Sequence, residues 1–189
     1  MTTDTNTDYL REFESKIQNE LLNLCTSYKF LDGSLLSSDD VEERWEALAL
    51  DYIADAVAQI NEYPAVAVAW AGYMGMAVAH RWDDNWEKYS LEEYKDFYGE
   101  NGFDDMDEHI LRDIVGIPLD SQEAKNIEEM LRRCAYSLLT IIRHENIEPQ
   151  SPMAYYTFAR VAKVMYRIGA AMELKRLGYK FEKIDMPTC

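Results

Sequence analysis

The chain has 189 residues, 48% of them hydrophobic with 13 Tyr, 9 Met and 4 Trp, which excludes a disordered chain and is enough to bury a full core. A formal charge of −16 and a pI near 4.5 argue against nucleic-acid backbones and anionic membranes as partners. Cys25, Cys134 and Cys189 lie far apart without a CxxC, which excludes a zinc ribbon or disulfide framework and fits a reducing cytoplasm. Cys25 and Cys134 then read as core residues. The opening MTTDTNTDYL has neither the basic nor the apolar region of a signal peptide, so a cytoplasmic location is expected.

Taken in order, the segments read as helices. Leu10, Phe13, Ile17, Leu21, Leu24 and Tyr28 recur every three or four positions and predict helix one over 7–28. Asp39 with Glu42 three residues later resembles a capping box and opens helix two, which runs to about 62. Pro64 begins helix three, sixteen residues without a charge that end in His80, Arg81, Asp83, Asp84 and Glu87. A helix apolar all round belongs at the centre of a bundle, so 64–87 is the predicted central helix. It is slightly short for a membrane span and lacks flanking basic anchors.

Ser90 with Glu93 predicts a short helix four, stopped at Gly99, and Asp105 with Glu108 a short helix five ended by Gly116 and Pro118. Asp120 with Glu123 opens helix six, with a seam of Ala124, Ile127, Leu131, Cys134, Leu138 and Ile141. Ser151-Pro152 opens helix seven, which carries Phe158, Val161, Met165, Ile168 and Met172 on one face and ends at Gly178. The tail beyond it reads as a strap. No segment alternates as a strand does. The expectation is one all-α domain over 1–189, a helical bundle of about five long and two short helices.

A candidate site follows from the hairpin of helices two and three. With the turn at Tyr63, Glu46 lies 17 residues before it and His80 17 after, which sets them at one height, with Glu42 and Glu43 level with Asp83 and Asp84. Glu42, Glu46, Ala49, Ile53 and Ile60 share one stripe of helix two, and Tyr73, Met76, His80, Asp84 and Glu87 one stripe of helix three. Crowded carboxylates are relieved by a divalent cation, and oxygen-rich ligation suits Mg²⁺ or Mn²⁺. Glu42, Glu43, Glu46, His80, Asp83 and Asp84 are therefore the candidate metal ligands. Arg160 and Arg167 on helix seven are candidates to meet a phosphate, with a solvated face as the plainer expectation for them.

Glu42-Glu43-Arg44-Trp45-Glu46 resembles the EExxE motif of the all-α, MazG-like nucleotide pyrophosphohydrolases, whose second helix contributes ExxD. The matching place here holds His80-Arg81-Trp82-Asp83, with His where Glu belongs, and the intervening stretch is too long. The likeness covers one hairpin and assigns no membership. Asp83-Asp84-Asn85-Trp86-Glu87 resembles the DDxxE of isoprenoid synthases more distantly, without their second metal motif.

The charge is uneven. Residues 1–120 hold 27 acids and 8 bases, and residues 121–189 hold 8 acids and 11 bases. Either the acidic part packs against a basic one, or the basic helices help hold an anionic ligand. Two functions follow. One is a metal-dependent bundle binding or hydrolysing a phosphorylated small molecule. The other is a non-enzymatic acidic protein that binds a protein partner or a second copy of itself, with its buried acids paired to Arg or Lys.

Overall fold

The computed structural model describes residues 2–180, so the expected tail strap beyond Lys180, with Cys189, lies outside the described residues. In chain order these are α1 (Thr2–Ser27), α2 (Asp39–Gln59), α3 (Pro64–Tyr89), a 3₁₀ turn (Tyr94–Phe97), α4 (Met106–His109) running into a π-helical segment (Ile110–Val115), α5 (Gln122–Arg143) and α6 (Pro152–Arg176). The all-α bundle expected from the sequence is what forms. Gly99 and Gly102 form an isolated β bridge.

The helix boundaries follow their caps. Ser121 and Ser151 each accept a hydrogen bond from the backbone N–H three residues on, at 3.1 Å. The first of these moves the start of α5 one residue past the expected Asp120. Expected helix four is reduced to the 3₁₀ turn, where Glu93 and Asp96 form a reciprocal capping box. Helix five ends where Gly116 takes a left-handed φ of 79°.

α3 is the centre of the bundle. Ala67 to Ala69, Ala71 to Ala79 and Trp82 are all buried. Its small residues let α6 approach to backbone contact: a Cβ on Gly75 would lie 2.0 Å from the Tyr166 carbonyl oxygen, and one on Gly169 would lie 1.8 Å from that of Gly72. On the opposite side, the Tyr52 hydroxyl of α2 sits in the α3 backbone. It donates to the Ala67 carbonyl at 2.7 Å and accepts from the Ala71 N–H at 2.8 Å. Burial raises the Tyr52 phenol far above its ordinary pKa, so it stays a neutral donor there.

Two details decide where the candidate site residues go. The buried residues of α2 are Val41, Trp45, Leu48, Tyr52, Ile53 and Ala56. Ile53 lies inside as expected, but the rest of that face is centred about 90° round from the stripe expected through Glu42 and Glu46. The aromatic rings win the interior: Trp45 packs on Tyr166 with ring centroids 5.1 Å apart, and the Tyr166 hydroxyl donates to the Val41 carbonyl at 2.7 Å. The second detail is a break in α3 at Asn85, with φ −161° and ψ 85°. Its side chain accepts from the Lys88 N–H at 3.1 Å, capping a last separate turn, so Asp84 and Glu87 do not continue one stripe.

Candidate functional site

The hairpin forms, but about one turn out of the expected register. Trp82 Nε1 donates to Asp40 at 3.1 Å, and Tyr52 meets Ala67 and Ala71. These contacts set Glu46 opposite the region of Met76 and leave His80 level with Glu42. The cause is that α2 stops at Gln59, so the connection is centred before Tyr63.

The six candidate metal ligands consequently separate. Glu43, Glu46 and Asp84 point into solvent. Asp83 accepts from the Tyr179 hydroxyl at 2.5 Å. His80 faces α6 and meets Glu173, with Nδ1 to Oε1 at 2.8 Å. Glu42 takes the guanidinium of Arg167, Nε to Oε1 at 2.7 Å. Among the described residues no group of three or more His, Cys, Asp or Glu side chains is placed to hold a metal ion.

Arg160 and Arg167, the expected phosphate ligands, are engaged within the bundle. Arg167 reaches Glu14 at 2.5 Å and Gln18 at 3.0 Å through Nη1, and Arg160 also pairs with Glu14. Lys163 stands 3.9 Å from Glu42. This network ties α6 to α1 and α2. Burial alone raises the Glu14 carboxyl pKa, but the hydrogen bonds of Arg160 and Arg167 outweigh it and hold the group below its ordinary value. The uneven charge of the two parts of the chain thus serves packing here: acids from the first part and bases from the second meet across helix interfaces.

Glu173 is the functional-type residue that sequence reasoning passed over. It is fully buried, and Arg176 clasps it with two parallel bonds, Nε to Oε2 at 2.7 Å and Nη2 to Oε1 at 2.8 Å, while His80 takes the remaining approach. Its signal was a lone acid continuing the Tyr166, Gly169 and Ala170 face of helix seven. A second closed group lies on the far side of α2, where Tyr94 at 2.8 Å and Tyr98 both donate to Asp55. The Tyr98 phenol is pushed up to about 12, first by burial and then by that carboxylate.

The outer surface of α2 is exposed. α2 is flanked by α6 through Glu42 and Arg167, and by the segment after α3 through Asp55 and through Arg44, which donates to the Glu92 carbonyl. Between these flanks, Glu43, Glu46, Ala47, Leu50, Ala54 and Val57 are exposed, Leu50 at 73% and Val57 at 45%. They fall within about 100° of arc at positions spaced by three and four. Asp51 and Ala58 border this stripe and are also exposed. The repeat is visible in the sequence as a second apolar stripe on helix two.

Comparison with family models, with curated proteins and with solved structures gives no match for this chain. No helix among the described residues is long and apolar enough to cross a membrane.

Proposed function

We propose that the protein works by binding another protein, and that the outer stripe of α2 is the docking surface. The observation that carries this reading is an apolar strip, Ala47, Leu50, Ala54 and Val57, left open between two closed flanks and bordered by the exposed carboxylates of Glu43 and Glu46. An amphipathic helix laid in such a strip is read through anchors at i, i+3, i+4 and i+7. The acidic border selects basic residues beside those anchors, and the chain's charge of −16 speeds their approach. A second copy of the chain is disfavoured, because it brings like-charged borders together. The partner class is therefore a cationic amphipathic helix.

The reading draws no catalytic step, since Glu42 is held by Arg167 and His80 by Glu173. The test compares two labelled peptides of the same Lys and Leu composition, one amphipathic and one scrambled, by fluorescence anisotropy at physiological salt. The amphipathic peptide is expected to bind more tightly, and Leu50→Asp to weaken it at least tenfold. That substitution makes the protein more acidic, so attraction by charge alone predicts the opposite sign. Equal binding of the two peptides, or tighter binding by Leu50→Asp, refutes the docking surface.

A further inference from the structure

Cys25 of α1 and Cys134 of α5 are both fully buried, and their sulfur atoms lie 3.6 Å apart. They stand 109 positions apart in the chain. Elsewhere α1 is held to the bundle by its buried Leu10, Phe13, Ile17 and Leu21 and by polar contacts nearer the surface: Arg160 and Arg167 on Glu14, and Tyr9 and Lys16 on Glu145, each at 2.8 Å in the latter case. Among the described residues the thiol pair is the one place where two helices face each other with cysteines.

We propose that this pair is a modification site, a latent disulfide that staples α1 to α5 when the protein meets a peroxide. A disulfide needs its sulfurs at about 2.05 Å. The sulfurs must therefore close by roughly 1.5 Å, within reach of side-chain rotation and a slight approach of two already packed helices. In the first step one thiolate attacks a peroxide oxygen, the O–O bond breaks, and a sulfenic acid forms with release of water. In the second, the other thiol's sulfur attacks the sulfenic sulfur, the S–O bond breaks, and a second water leaves with the remaining proton. Two thiols lose two electrons and two protons, and the peroxide is reduced to two waters.

The site is gated by its own burial. The Cys134 thiol is raised well above the ordinary thiol range, first by the Cys25 thiol beside it and then by loss of solvent, so thiolate is scarce while the helices are packed. Oxidation therefore follows the opening of α1 and speeds up in urea below the unfolding transition.

The experiment uses the full chain carrying Cys189→Ser, treated with excess hydrogen peroxide in sub-transition urea, then alkylated under denaturing, non-reducing conditions and digested. The expected product is a linked peptide pair containing Cys25 and Cys134 within one chain. Both thiols should disappear from alkylation together, with a Tm higher by roughly 5–15 °C that dithiothreitol reverses. Adding Cys25→Ser should abolish the linked pair and the Tm rise. The proposal is overturned if both thiols stay alkylatable, if they pass to sulfinic acid without a link, or if links form only between chains.

Discussion

Replacing Gly169 by alanine tests the contact that sets the whole bundle. The new Cβ would stand 1.8 Å from the Gly72 carbonyl oxygen, where an ordinary contact is at least 3.4 Å. Both partners are backbone of buried helices, so neither can turn aside, and α3 and α6 must separate by roughly 1.5 Å at their crossing. A gap of about 0.5–1 Å already forfeits a quarter to a half of a dispersion contact, and overpacking of this kind costs about 1–3 kcal/mol or more. The gain from replacing a helical glycine is about 1 kcal/mol. With backbone on both sides the cost lies at the upper end, about 3 kcal/mol, so the net expectation is a loss of about 2 kcal/mol, read as a fall in Tm of roughly 4–8 °C. Gly72→Ala is the internal comparison, because its Cβ meets the end of the Leu131 side chain at 2.8 Å, which can swing. Its cost should stay under about 1 kcal/mol after the helix gain. Urea unfolding followed by far-UV circular dichroism measures both. Unchanged stability of Gly169→Ala, or a larger loss for Gly72→Ala, refutes the reasoning.

Other perturbations have definite signs. Asp107 is pushed up from 3.8 to about 6, first by burial, so it penalises the fold as pH rises from about 4 to 6 and holds that penalty above. The rise corresponds to about 3 kcal/mol, which solvent at this half-buried site reduces to about 1–2 kcal/mol. Asp107→Asn should therefore stabilise the protein at pH 7.5 and leave it unchanged below pH about 4, as thermal melts across that range will read. Glu173→Leu removes a buried carboxylate and strands His80 and Arg176. Because both partners retain some solvent, the loss should be about 2 kcal/mol rather than the larger cost of a fully buried pair, measurable by urea unfolding. Arg167→Ala removes the shared link of α1 and α2 to α6, leaving Arg160 on Glu14, and should cost about 2 kcal/mol, with earlier hydrogen exchange in α1 than in α3.

Much of the fold was legible because it rests on local chemistry. Ser151-Pro152 opens α6 as its residue types require, Gly116 closes the π segment, and the charge-free run from Pro64 lies at the centre. The site was less legible because it depended on two quantities that local pattern specifies weakly. One is rotation: Glu42 and Glu46 lie one position from Val41 and Trp45, and that single step decides which side chains face inward. Trp45 and Tyr52 have far more apolar area to bury, so they set the rotation and leave Glu46 outside. The other is register: moving the centre of the turn by two residues slides the facing helices by about one turn. His80 then found an acid on α6 that no reading of the hairpin alone contains.

The central claim is that α2 presents its outer stripe to a cationic amphipathic helix, and backbone NMR of the ¹⁵N-labelled protein titrated with the Lys and Leu peptide tests it most directly. The account predicts that the shifted amides form one patch over Glu43, Glu46, Ala47, Leu50, Ala54 and Val57, and that the patch is lost in Leu50→Asp. Shifts spread over the acidic surface at large, or centred on other helices with α2 undisturbed, contradict it.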